Sequence, residues 1–555
     1  MASRSLNSNK KLFTLSLILL SSSLIILVIF FGSKYNVVDI LKLETDQPQV
    51  FKNPRWFDLI EEEINGKKKI KVGLVNVNDE ESEYKMHGSV VSTVHVHFSH
   101  VSKERKWEDF FPEWIAEDQN YDLPTCPEIP MPRLRDYRDL DIVVARVPCE
   151  GWTGKAGLRD VFRLQVNLVV ANLLVESGWL TPDVHQTVYA VFIGDCGPMP
   201  ELFRCDDLLR KVGDHWVYKP ELRRLKQKVL MPLGSCQIAQ PYGKTGKEAW
   251  RYYSADHARL KKLKYSSFHQ REAYVTVLHS SEAYVCGAIA LAQSIIQSNS
   301  TRDLLLLHDE NISPKSLTGL RFAGWKTRQI ERIRSHFAMK DSYNEWNYSK
   351  LRIWMLTWYD KVIFIDSDVL VFENMDSLFV YPQLSAAAND KTLFNSGVMV
   401  IEPSLCMFED LMLKSFKVES YNGGDQGFLN EVFTWWHRLP SKVNFLKIFN
   451  GNKSEKIPDD LSAIHYLGLK PWMCYRDYDC NWDMKARQVF ANDKAHEKWW
   501  QVYDAMPEKL QQYCGLTEHM NWRINKWRRI ARNLRLPDEH WNIAVTDPRQ
   551  YNLVQ

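Results

Sequence analysis

The sequence predicts an α/β protein built on a mainly parallel, Rossmann-like sheet. Three observations carry this. Short apolar segments with strand character alternate with segments whose apolar residues recur at helical spacing. One such strand ends in Asp366-Ser367-Asp368, at the carboxyl end where open α/β sheets bind ligands. Glycine-rich turns lead into helices further on, as at Gly423-Gly424-Asp425-Gln426-Gly427. Composition agrees: 45% hydrophobic and 25% charged residues in 555 suit a packed chain and exclude a disordered one. A balance of 71 Lys+Arg against 68 Asp+Glu leaves +3, which excludes a dominant nucleic-acid partner. Twenty Trp residues are either core filling or a stacking surface for sugar rings.

The elements follow in order. Residues 12–31 are twenty positions without a charge; at 1.5 Å per residue they reach about 30 Å, the thickness of a bilayer core. Arg4, Lys10 and Lys11 precede them and no acid does, so residues 1–11 are expected in the cytosol and the body in a lumen. This makes 12–31 a type II signal anchor; a cleaved signal peptide is the alternative, and the length argues against it. A lumenal body permits disulfides among ten cysteines, with the connectivity open, and glycosylation at the sequons of Asn299, Asn347 and Asn452, of which Asn347 is expected to stay unused because it lies close to the expected site. Residues 32–67 read as a stem. An additional N-terminal α/β region spans 68–265, with strands over 70–77, 90–98, 142–147 and 188–193 and a helix over 160–177.

A second α/β unit spans 266–485. It opens with a strand over 273–278, a loop at His279-Ser280-Ser281 and a helix over 283–297, then a strand over 304–308. Residues 346–359 carry Leu351, Trp354, Met355 and Trp358 at helical spacing. The strand 362–365 then delivers Asp366 and Asp368, which point the same way in extended chain and can face one cation. Oxygen ligands suit Mg²⁺ or Mn²⁺, and a nitrogen ligand tilts the choice toward Mn²⁺. His465, in HYLGLKPW, is the candidate nitrogen ligand, and Lys470 five residues on could neutralise a phosphate oxygen. Residues 486–555 read as a helical extension.

Four ordered motifs, IDSDVLV (365–371), FNSGVMVIEPS (394–404), GGDQGFLNEVF (423–433) and HYLGLKPW (465–472), together resemble family 8 glycosyltransferases, the glycogenin-like group. Tyr284, Gly287 and Lys350 fit in order. The resemblance implies a GT-A fold and retaining, metal-dependent transfer from a UDP-sugar. It implies Asp366, Asp368 and His465 as Mn²⁺ ligands, with Lys470 and the backbone near Gly468 as the diphosphate clamp. It further implies Tyr284 at the uracil, Lys350 at the donor diphosphate or sugar, and Asn395, Asp425 and Gln426 on the catalytic face. A longer resemblance, through NGGDQG (422–427) and CYRDYDCNW (474–482), is to the plant xylan glucuronosyltransferase group. That implies transfer of α-glucuronosyl units from UDP-glucuronate to xylan at the Golgi membrane.

Two other readings stay open: a glycogenin-like enzyme that glucosylates itself or a primer from UDP-glucose, and a non-catalytic subunit of a glycan-synthesising complex. Asn422 stands where glycogenin-like proteins often carry an acid. A glucuronate donor needs a cation near its carboxylate, for which Arg352, Arg476 and Lys391 are candidates. The crowd from Trp472 to Trp541 is expected to be core packing for the most part, with two or three of its rings touching a polysaccharide acceptor.

Overall fold

The computed structural model describes residues 54–549, apart from 65–66, 68, 78–89, 113–125, 150–158, 182–183, 240–270, 390–392 and 450–456. The expected anchor at 12–31 lies outside this range, and among the described residues no helix is long and apolar enough to cross a membrane. The described residues fall within one compact unit.

Its first sheet has six strands: β1 (Lys69–Val75), β2 (Val90–His95), β3 (Ile142–Arg146), β4 (Tyr189–Ile193), β5 (Leu208–Val212) and β6 (His215–Tyr218), in the order β2-β1-β3-β4-β6-β5. The first four are parallel and the last two antiparallel. Helix α1 (Val161–Gly178) covers one face; Asp160 caps it by accepting from Arg163 N–H. On the other face, residues 54–64 of the expected stem form two helical turns that bury Trp56, Phe57, Ile60 and Ile64. Helix α2 (Leu222–Leu230) follows this sheet.

The second sheet holds the site. Its strands are β7 (Glu272–Leu278), β8 (Asp303–His308), β9 (Lys326–Gln329), β10 (Lys361–Ile365), β12 (Ser385–Ala388), β13 (Phe394–Ile401) and β14 (His437–Leu439), while β11 (Val369–Val371), β15 (Phe445–Leu446) and β16 (Ala463–His465) form a small third sheet. The order of the second is β9-β8-β7-β10-β13-β12-β14. The four strands from β9 to β10 are parallel, as expected, but β13 runs antiparallel to both β10 and β12. The sheet is therefore mixed, because β12 reaches β13 through a short return rather than a helical crossover. Helices α3 (Val285–Gln297), α4 (Pro314–Phe322), α5 (Leu405–Ser415) and α6 (Asp425–Val432) pack about it; α7 (Asp493–Ala505) and α8 (Glu518–Leu534) lie in the C-terminal segment. The helix expected over 346–359 is instead a three-ten stretch, Asn347–Met355.

All ten cysteines pair, as 126–236, 149–196, 205–406, 286–514 and 474–480. The Trp run proves to be mostly core: Trp472, Trp482, Trp499 and Trp500 are buried, and Trp522 and Trp527 are the open ones. On α8 only Ile524 and Ala531 are buried, so most of its Arg and Lys side chains face solvent.

Candidate active site

Strand pairing assembles the site. Asp366, just past β10, donates its N–H to Gly397 O of β13 at 2.8 Å. The turn through Ser367 and Asp368 closes with Val369 N–H on Asp366 O (3.0 Å) and runs into β11. β11 pairs with β16 in the register Val369 to His465, and Tyr466 N–H donates to Asp368 O at 2.9 Å. His465 Nε2 thereby comes within 3.2 Å of Asp368 Oδ1. Behind the turn, Gly287 of α3 lets the helix close on it: a Cβ there would sit 2.4 Å from Ser367 O and 2.5 Å from the Trp472 ring.

Asp366, Asp368 and His465 each offer one ligand atom, all within 4.8 Å of one another. Two carboxylates and an imidazole are the donor set of a divalent cation such as Mn²⁺ or Mg²⁺. The imidazole Nδ1 is buried with no hydrogen-bond partner among the described residues, so the ring is placed by packing against Gly397, where a Cβ would lie 2.5 Å from it. The residues present fit a metal ion.

Two lysines supply positive charge to this acidic turn. Lys350 reaches Asp366 at 3.0 Å and Asp425 at 2.8 Å. Burial disfavours its charge, but the two carboxylates outweigh that and raise its pKa. Lys470 donates to Asp368 Oδ2 and to Tyr466 O, both at 2.6 Å. Burial pulls against the Asp368 carboxylate as well, yet Lys470 and His465 hold it far below the usual range. Asp366 goes the other way: burial, with Asp368 adding to it, raises its pKa against the pull of Lys350. The pair is thus divided into one firmly ionised carboxylate and one that holds its proton more readily.

The candidate catalytic face lies across the turn. Asp425 and Gln426 open α6. Ser396 Oγ donates to Asp425 at 2.8 Å, and Ser396 N–H to Gln426 Oε1 at 3.2 Å. Gln426 Nε2 in turn donates to the Tyr421 hydroxyl (3.0 Å). Asn395 Oδ1 accepts from Gly397 N–H and Asn444 Nδ2, both at 2.8 Å, while its amide donates to Asn389. A cavity of about 310 Å³ joins this turn to His279, Tyr284, Tyr343, Trp346 and Lys350. Arg332 lies 4.1 Å from the Trp346 ring and 3.3 Å from Asp309, whose carboxylate also accepts Ser280 N–H. His279 is pushed down to about 4 by burial and by Lys350, so it is neutral at physiological pH.

Nine of the ten sequence candidates thus meet around one turn and cavity. Gly468 has a different reason to be glycine: its φ is +78°, and a Cβ would lie 2.5 Å from Asn481 Oδ1. Of the cations suggested for a sugar carboxylate, Arg352 pairs with Glu331 and Arg476 with Asp504, and Lys391 lies outside the described residues. Asn347 is buried at the cavity, which leaves no room for a glycan. Sequence reading missed Ser396, Asn444, Tyr343 and Arg332. Ser396 stands inside a quoted motif, but the others have no local signal and arrive through the fold.

A family profile described as GUX1-5 N-terminal domain matches residues 48–236, and one described as Glycosyl transferase family 8 matches 275–474. UDP-glucuronate:xylan alpha-glucuronosyltransferase 2 of Arabidopsis thaliana is 50% identical over 87% of this chain and 81% of its own. UDP-glucuronate:xylan alpha-glucuronosyltransferase 1 of the same organism is 45% identical over 89% of this chain and 74% of its own. Glycogenin-1 of Homo sapiens is 30% identical over 44% of this chain and 76% of its own. Fold, site and matched profile define a glycosyltransferase of family 8 with a GT-A-like α/β core. Within that class, the chain belongs to the UDP-glucuronate:xylan alpha-glucuronosyltransferase family.

Proposed function

We propose that the protein transfers α-glucuronosyl units from UDP-glucuronate to xylan, with retention, using Mn²⁺. The observation that carries this is similarity to named xylan glucuronosyltransferases over most of the chain, with both carboxylates, the imidazole and both lysines of the site in place. Asp366, Asp368 and His465 would hold the metal, which when bound supplies charge stabilisation to the donor diphosphate. Lys470, already paired with Asp368, is positioned to neutralise charge on the leaving diphosphate. Tyr284 would approach the uracil.

Asp425 is engaged by Lys350 and Ser396, and Gln426 is an amide and a poor nucleophile. That favours attack on the same face the diphosphate leaves, with Gln426 and Asn395 orienting the sugar. We assign 12–31 as a signal anchor holding the body in the Golgi lumen; the disulfides support an oxidising compartment. We divide the body at about 266 and 486, consistent with the spans of the two matched profiles.

The test is to incubate the purified full chain with Mn²⁺ and a panel of UDP-sugars, with and without xylo-oligosaccharide. Glucuronate transfer to the oligosaccharide is expected, and it should be abolished in Asp368→Asn. Self-labelling from UDP-glucose, or no turnover of any donor, would overturn the proposal.

A further inference from the structure

Five exposed side chains with large apolar surfaces gather beside the candidate catalytic face rather than in the Trp-rich segment. Tyr343 is 74% exposed although it lines the donor cavity, and Met339 is 80% exposed in the same loop. Phe416, at the end of α5, is 59% exposed and lies 4.2 Å from the His336 ring; Leu413, one turn earlier, is 66% exposed. Tyr421 is 54% exposed. The loop and the turn that carry these residues are joined. Asn344 Nδ2 donates to Asn422 O at 2.7 Å, and Gly423 lies close enough to Phe337 and Ala338 that a Cβ would meet their backbone at 3.1 and 3.2 Å. Exposed apolar side chains grouped on joined segments beside a site mark a binding surface.

We propose that this patch is the acceptor platform, and that its occupant is an extended, uncharged glycan chain. The inference rests on the transferase reading given above. Continuity with the catalytic face comes first: the ring of Tyr421 lies outside, while its hydroxyl accepts from Gln426 Nε2. A chain lying on these rings is led to the donor sugar. Chemistry comes second. Aromatic rings match the apolar faces of sugars, and the charges around the patch cancel, with Lys340 and Lys417 against Asp341 and Glu419. A polyanion finds no net attraction there. Tyr421 has two roles, stacking through its ring and positioning Gln426 through its oxygen.

The test is kinetic, on the full chain with UDP-glucuronate and neutral xylo-oligosaccharides of increasing length. Phe416→Ala and Tyr421→Ala should each raise acceptor KM about tenfold, or ~1.4 kcal/mol, by an amount that grows with chain length. Donor KM should move less than about twofold. Tyr421→Phe should keep acceptor KM and lower kcat. An unchanged acceptor KM in Phe416→Ala, with wild-type transfer intact, would overturn the platform while leaving the transferase reading standing. If the wild type transfers nothing, calorimetric binding of the neutral oligosaccharide alone decides. Binding lost in Phe416→Ala supports the platform; no binding, or a concentration-dependent dimer dissolved by the same substitution, overturns it.

Discussion

Lys350 shows how closely single residues control the site. Its ammonium is shared by partly exposed Asp366 and buried Asp425, and removing it leaves both carboxylates without that cation. Lys350→Met should cost about 3–5 kcal/mol of stability and at least ~10²-fold in kcat, read by thermal unfolding and by Mn²⁺-dependent donor turnover. Lys350→Arg should recover stability before it recovers rate, since a planar fork does not reproduce the point charge. Gly287 gives a second residue-scale prediction. The methyl of Gly287→Ala would need the space of Ser367 O and the Trp472 ring. The carboxylate turn must then shift, and the Mn²⁺ concentration for half-maximal activity should rise about tenfold while overpacking costs ~1–3 kcal/mol. Gly287 was legible in the sequence as one member of an ordered pattern. Its reason was not, because the atoms it makes room for come from 80 and 185 positions further on.

At the scale of elements, the strands ending in the site were readable because each is an apolar run bounded by polar turns. Strand direction was not readable. Nothing in FNSGVMVI says that β13 runs against β10, yet that pairing sets Gly397 O on Asp366 N–H. Residues 346–359 misled for a similar reason. Apolar residues three or four apart suit a three-ten stretch as well as an α-helix, and Trp354 is fixed by its hydrogen bond to Gln383, outside the segment. The Trp crowd left two roles open because composition reports amount and not exposure. Trp472 donates to Ala283 O and backs the carboxylate turn. It is itself tied down by Arg549, which donates to the carbonyls of Trp472, Cys514 and Cys474 at 3.2, 3.0 and 2.6 Å. Arg549→Ala removes this donor from those carbonyls and the paired cation from buried Asp547, which keeps only its backbone donors. It should cost about 3–5 kcal/mol, measured as a lower urea midpoint, and should weaken donor binding from a distance.

At the scale of the molecule, the two large sheets are joined by a buried charge network. Glu402, beside the end of β13, meets Arg204 at 2.8 Å and Lys361 at 3.5 Å. Burial pushes the Glu402 carboxyl up, but Lys361, Arg204, Arg224 and Lys228 together bring it down to about 2. A depressed carboxylate contributes stability that is complete above its unfolded pKa of ~4.3 and is lost as pH falls through the folded value. Wild type should therefore lose on the order of 3 kcal/mol between about pH 5 and 2 from this group. Glu402→Gln should be less stable at pH 7 and show a shallower acid loss in denaturant titrations.

The bonds joining distant parts of this chain also bear on how it is made. Cys205–Cys406 spans 201 residues and Cys286–Cys514 spans 228. Synthesis is vectorial, and N-terminal parts emerge first. Cys205 is thus translated long before Cys406, in the company of Cys126, Cys149 and Cys196. Each is a wrong partner for the others in some pairing, and each wrong bond would need thiol exchange to undo. Productive maturation of the nascent chain should depend on a disulfide isomerase rather than on an oxidant alone.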